Sequence, residues 1–164
     1  MNTRYIKRLI GLPGEKIEIK KDVTYINDIP VERVKVGEYF DETNQEYVKY
    51  KETFPNGLSF YTYKLKELDG IAETGHSDFG PYIVSKDHFF FMGDNRDQSG
   101  DSRYQLGFVP FENLIAKAQF VFLSIKEIFW DEKLGILDQL ARFWTWLSSV
   151  RFDRLFKSLY DIDK

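Results

Sequence analysis

The chain has 164 residues, of which 43% are hydrophobic and 17% aromatic, ample for one domain with a core and a smaller appendage. Cysteine is absent and His76 and His88 are the only histidines, which excludes disulfides, thiolate catalysis and Cys- or His-rich metal centres. A net charge of −3 argues against nucleic acid as the main partner. No apolar run reaches the length of about 18 residues that marks a membrane-crossing helix.

Met1-Asn2-Thr3-Arg4 has no signal-peptide apolar region and leads straight into strand-like Tyr5-Ile6-Lys7-Arg8-Leu9-Ile10, so the chain opens in mid-strand, as if a segment were missing upstream. Gly11-Leu12-Pro13-Gly14 makes a turn, and Lys16-Ile17-Glu18-Ile19-Lys20 alternates as a half-buried strand does. Val23-Thr24-Tyr25-Ile26 and Ile29-Pro30-Val31 flank Asn27-Asp28, two residues that tolerate positive φ in a hairpin turn. From Glu32 to Ser85 the composition turns polar and Tyr-rich. Glu46 to Phe54 and Leu58 to Leu65 read as strands joined by Pro55-Asn56-Gly57, and Asp69 to Gly80 reads as a loop.

Phe89-Phe90-Phe91-Met92 reads as a buried strand that stops at Gly93. From Asp94 to Ser102 there is no large apolar side chain, and apolar residues resume at Leu106, Phe108 and Val109. Pro110 to Leu114 looks like a single turn and Ala116 to Ile125 like a strong strand. Past Lys126, Leu137, Leu140, Trp144 and Leu147 recur at helical spacing. The expected fold is therefore mainly β, with residues 1–31 and 85–125 as core, 32–84 as an inserted β-subdomain and 126–164 as an amphipathic helical tail. With Trp130, Trp144, Trp146 and basic residues, that tail suits either an anionic lipid surface or packing on the β-core.

Two clusters carry chemistry. Lys7 has Ile6, Leu9 and Ile10 beside it; burial among them favours the neutral amine, a general base, although local sequence alone favours a lysine exposed at a strand edge. The polar loop after Gly93 holds Asp94, Asn95, Arg96, Asp97, Ser99, Asp101, Ser102 and Arg103. Read without other knowledge, its Asp and Arg side chains pair to hold a turn. A calcium loop is the rival, with Asn95, Asp97, Ser99 and Gly100 at positions one, three, five and six, but the place of the bidentate Glu is taken by Leu106 and helical flanks are lacking.

Taken together, Tyr5 to Glu15 and Gly93-Asp94-Asn95-Arg96-Asp97-Gln98-Ser99-Gly100-Asp101-Ser102-Arg103, with Leu106-Gly107-Phe108-Val109-Pro110 after it, closely resemble two signature boxes of bacterial type I signal peptidases. Ile29-Pro30-Val31 and Glu112-Asn113-Leu114-Ile115-Ala116-Lys117-Ala118 are also similar to that family, and the likeness covers residues 4 to 125. The resemblance implies a Ser/Lys-dyad endopeptidase that removes signal peptides from exported pre-proteins, a variant of the serine triad. It implies Lys7 as general base, Ser99 as the residue that orients it, and an ion pair between Asp101 and Arg103. Gly93, Asp94, Asn95 and Arg96 would shape the supporting loop. Tyr5 and Ile6 would line shallow pockets for the small residues at the −1 and −3 positions, the substrate adding as an extended strand.

The family's nucleophilic serine stands upstream of the lysine, in a Ser-Met-x-Pro box that follows a membrane anchor. Ser59, Ser77, Ser85, Ser99, Ser102, Ser124, Ser148, Ser149 and Ser158 are the serines here, and none has that context. The expectation is thus a piece carrying the lysine half, inactive alone, from an enzyme of the bacterial inner membrane whose catalytic part faces the periplasmic side. Its partners would be signal peptides and, through the tail and a missing anchor, the membrane surface. No cofactor and no metal are expected. The alternative is a non-catalytic peptide-binding β-module derived from the same family.

Overall fold

The computed structural model describes residues 3–69, 78–104, 106–122, 124, 150–152 and 155–159. The chain divides into two compact units, Met1–Ala116 and Lys117–Lys164. Among the described residues of the first unit the strands are β1 (Arg8–Gly11), β2 (Lys16–Lys20), β3 (Val23–Ile26), β4 (Ile29–Pro30), β5 (Glu32–Phe40), β6 (Glu46–Thr53), β7 (Ser59–Leu65), β8 (Phe79–Ile83), β9 (His88–Met92) and β10 (Val109–Pro110). They form three sheets, ordered β1-β9-β10, β4-β3-β2-β8 and β5-β6-β7. The protein is mainly β.

Alternation in sequence becomes alternation in burial. Ile17 and Ile19 of β2 are buried while their neighbours face outward, and Phe90 and Met92 of β9 are buried while Phe89 and Phe91 turn to the other face. These residues, with Ile10 and Val84, make one core against which Ile26, Phe54, Phe79, Tyr82 and Phe108 pack. Each such side chain withdrawn from water contributes about 1.5–3 kcal/mol. The core therefore fastens β9, and with it the polar loop, to the sheet of β2.

The β2–β3 and β3–β4 hairpins turn at Lys21-Asp22 and Asn27-Asp28, all four residues with positive φ as a two-residue hairpin requires. Gly57, at φ 85°, closes the turn between β6 and β7. Strand β5, unrecognised in the sequence, pairs along β6 with a register shift between Lys35 and Gly37. It is an edge strand whose side chains are mostly exposed, so no alternating apolar pattern announces it. Strand β8 lies partly in the stretch read as a loop and within the expected insert, yet it pairs with β2. Pro81 fits because β8 is the edge of its sheet.

One expectation is corrected. Ala116 to Ile125 is not a strong strand: its described residues form a single bridge, Phe120 with Ser158, and Phe120 and Phe122 are exposed. An apolar run resembles a buried strand in sequence even where its side chains stay exposed. Within the second unit, Val121 N–H donates to Lys157 O at 2.9 Å and Phe156 N–H to Val121 O at 2.7 Å. The expected helix over 126–164 falls largely outside the described residues; those described, 150–152 and 155–159, run as extended and turn segments. Among the described residues no helix is long and apolar enough to cross a membrane.

Candidate active site

The lysine immediately precedes strand β1 and the loop follows β9. The two strands pair antiparallel with Arg8 opposite Met92, so Lys7, one residue before β1, stands beside Gly93, one residue past β9. The chain then folds back. Ser102 N–H donates to Phe91 O at 3.0 Å, and Phe91 N–H donates to Ser102 Oγ at 2.9 Å. This return brings Ser99 over Gly93, where Lys7 Nζ donates to Ser99 Oγ at 2.6 Å.

The carboxylates near the lysine are held by arginines. Arg8 forks onto Asp94 through Nε (2.7 Å) and Nη2 (2.8 Å). Arg103 grips Asp101 through Nε (2.9 Å) and Nη2 (2.8 Å), and Gly93 N–H donates to Asp101 Oδ2 at 2.9 Å. Bidentate charge-assisted pairs of this kind fix geometry as well as adding energy. Burial pushes the Asp101 carboxyl up, but the Arg103 hydrogen bonds and charge, joined by the N–H groups of Gly93 and Arg103, outweigh it and hold the group below the usual carboxylate range. Among the described residues, Lys7 has a hydroxyl as its polar partner and no carboxylate within ion-pair distance. Its side chain is half-buried, so the niche is not dry on all sides.

The far side of the loop is bound to the sheet β5-β6-β7. Tyr63 N–H donates to Asp94 O and Arg96 N–H to Tyr63 O, both at 2.8 Å, which makes a parallel bridge between Tyr63 and Asn95. Leu65 N–H donates to Asp97 Oδ2 at 2.8 Å, Lys64 Nζ lies 3.4 Å from Asp97 Oδ1, and Tyr47 OH donates to Gln98 Oε1 at 2.9 Å. Buried Arg96 donates to buried Glu52 at 2.5 Å. Burial pulls the Arg96 guanidinium below its ordinary value, and the Glu52 charge and hydrogen bond oppose this. Two positions of the calcium pattern, Asp97 and Ser99, are thus engaged with protein donors, and among the described residues no three His, Asp or Glu side chains group as a metal site.

Tyr5 is 65% and Ile6 87% exposed, and the Tyr5 ring centroid is 5.9 Å from Lys7 Nζ. Strand β1 is the edge of its sheet, so its outer side has no strand partner among the described residues. The arrangement offers an amine held by a buried hydroxyl beside an open strand edge. Sequence reasoning missed Arg8 as the partner of Asp94, although it adjoins Lys7. It also missed Glu52, Tyr47 and Tyr63, which carry no motif signal because they lie in strands far from either box.

The family described as signal peptidase, peptidase S26, matches residues 1–123 of this chain. Signal peptidase I of Rickettsia typhi is 50% identical over 165 residues, spanning 100% of this chain and 62% of that protein. Signal peptidase I of Rickettsia bellii is 50% identical over 166 residues, spanning 99% of this chain and 57% of that protein. The chain thus spans roughly three-fifths of the length of these relatives. A crystal structure of a signal peptidase I from Enterococcus faecalis is 28% identical and covers 65% of this chain and 75% of its own, with a TM-score of 0.34.

Proposed function

The chain belongs to the signal peptidase, peptidase S26 family, and from that premise we propose that it is the lysine-bearing part of a serine endopeptidase that removes signal peptides from exported pre-proteins. Lys7 acts as general base, and the attacking hydroxyl comes from a serine outside these 164 residues. The observation that carries this reading is the 2.6 Å contact of Lys7 Nζ with Ser99 Oγ at the open edge of β1. Ser99 is itself a poor nucleophile, because it is buried and packed over Gly93.

In this reading the substrate lies along β1 as an added strand, its small side chains resting on Tyr5 and Ile6, which excludes water from the exposed flank of Lys7. Neutral Lys7 takes the serine proton as the hydroxyl attacks the scissile carbonyl carbon, and then gives it to the departing amine. Water then enters and loses a proton to Lys7 Nζ as its oxygen bonds to the acyl carbon. Lys7 passes that proton to the serine oxygen as the acyl–oxygen bond breaks, freeing the acid and restoring the serine. Ser99 keeps the amine aimed, and the pairs Arg8–Asp94 and Asp101–Arg103 keep Ser99 in place.

The test is processing of a purified pre-protein by the 164-residue chain alone and by the chain extended upstream with the serine-bearing segment of a Rickettsia relative. Cleavage by the extended protein only is the expected result. Equal cleavage by both would place the nucleophile within these residues, and cleavage by neither would remove the peptidase reading.

A further inference from the structure

Arg96 is the residue of the polar loop whose buried side chain enters the sheet β5-β6-β7. Its backbone N–H bonds to Tyr63 O at 2.8 Å, and its carbonyl accepts from Arg103 Nη2 at 2.6 Å. Its own guanidinium goes the other way, into β6, where Nη2 meets Glu52 Oε2 at 2.5 Å. Glu52 is 2% exposed, accepts from Thr62 Oγ1 at 3.1 Å, and has Arg33 Nε at 3.8 Å. Arg96 Nε finds no acceptor among the described residues, so the hold on this side chain rests on Glu52.

The contacts continue toward the lysine. Arg103, bonded to the Arg96 carbonyl, grips Asp101; Asp101 accepts from Gly93 N–H; and Gly93 is the floor on which Ser99 sits. A fully buried carboxylate on β6 is costly unless its geometry is used, since an apolar residue of similar volume would serve the core at least as well. The same sheet also fastens the loop through two backbone hydrogen bonds of Tyr63, through Leu65 and Lys64 on part-buried Asp97, and through Tyr47 on exposed Gln98. Among these contacts only Arg96–Glu52 joins two buried charged side chains.

We propose that Glu52 is a positioning residue for the Lys7–Ser99 pair: through Arg96 it sets the loop that holds Ser99, and so couples the inserted sheet to the reaction centre. This rests on the reading of Lys7 and Ser99 as the working pair. The sheet β5-β6-β7 is then a brace for the chemistry rather than a separate module. Any substitution there that moves Glu52 reaches the lysine.

The test uses the 164-residue chain, with Lys7 observed through its 13Cε resonance and the loop through amide hydrogen exchange. In Glu52→Gln the side chain keeps its size but leaves Arg96 a buried, uncompensated charge. The amides of Gly93, Arg96 and Ser102 are then expected to exchange roughly tenfold faster relative to those of β2 and β3, and the Lys7 resonance to move. Glu52→Asp, which keeps the charge, should restore part of both effects, and it decides the matter by the same comparison if Glu52→Gln does not fold. A uniform rise in exchange across all sheets, or a Lys7 resonance unchanged from wild type, would overturn the proposal. Ser99→Ala in the same spectra separates the two layers. A Lys7 resonance that ignores Ser99→Ala overturns the underlying contact and the proposal with it, whereas one that responds to Ser99→Ala but not to Glu52→Gln overturns the coupling alone.

Discussion

Gly93 lies so close under Ser99 that a Cβ placed on it would overlap Ser99 Oγ, come within 2.5 Å of Ser99 Cβ and stand 3.5 Å from Lys7 Nζ. The atoms that would have to yield belong to a short, buried side chain tied to the lysine. Gly93→Ala is therefore expected to lift Ser99 off its seat. Overpacking of this kind typically costs about 1–3 kcal/mol of stability. Denaturant melting of the chain checks the stability, and pre-protein processing by the extended protein should fall much further than the melting would suggest.

Ser99→Ala removes the one polar partner that Lys7 has among the described residues and leaves space rather than strain. The stability change should be small, about 0.5–1.5 kcal/mol, as for a single part-buried hydrogen bond. In the extended protein, kcat should fall by about 10²-fold or more with KM little changed, because an unaimed base affects the reaction and not substrate docking. Steady-state kinetics on a signal-peptide substrate would separate the two parameters.

Asp101 supplies a pH dependence with a definite sign. Its folded-state value is held below that of the unfolded chain. Its contribution is therefore complete above the unfolded value, about 3.9, and is lost as pH falls from there through the folded value. Wild-type stability should decline on the acid side of about pH 4. Asp101→Asn should lose about 1.5–3 kcal/mol at neutral pH, since Arg103 is left without its carboxylate, and should flatten that acid limb. Urea melts at pH 7 and across the acid range measure both.

Arg8→Leu should act on the opposite side of the loop. It leaves Asp94 without its fork and removes a guanidinium stacked 4.1 Å from the Phe60 ring centroid. Both arginine and carboxylate are partly exposed, which limits the loss of stability to about 1 kcal/mol. The measurable consequence is faster exchange at Tyr63 N–H, the amide bonded to the Asp94 carbonyl.

What the sequence disclosed follows burial. Strands β2, β7 and β9 are legible because burial alternates along them, β6 shows as a Tyr- and Lys-rich run in the middle of its sheet, and Asn27-Asp28 and Pro55-Asn56-Gly57 mark turns by residue type. Strand β5 is hidden because an edge strand exposed on most positions needs no apolar period, and β8 because its first residues, Phe79 and Gly80, fall in the stretch from Asp69 that reads as a loop until β2 is there to pair with. The Lys21-Asp22 turn carries no glycine or asparagine to announce its positive φ. At the site, the nearness of Lys7 and Ser99 could be anticipated only through the likeness of two boxes to one family, since nothing local joins residues so far apart. Glu52 was beyond reach. A glutamate in a Tyr- and Lys-rich strand looks solvated until the loop that buries it is in place.

The most direct measurement is signal-peptide release by the serine-extended protein with Lys7 intact and with Lys7→Ala, circular dichroism showing both folded. The expected result is cleavage between the small-residue −1 position and the mature chain by the first, and a loss of about 10³-fold or more in the second. Undiminished cleavage by Lys7→Ala would contradict the assignment of the base, and with it the role given to every residue that holds that amine.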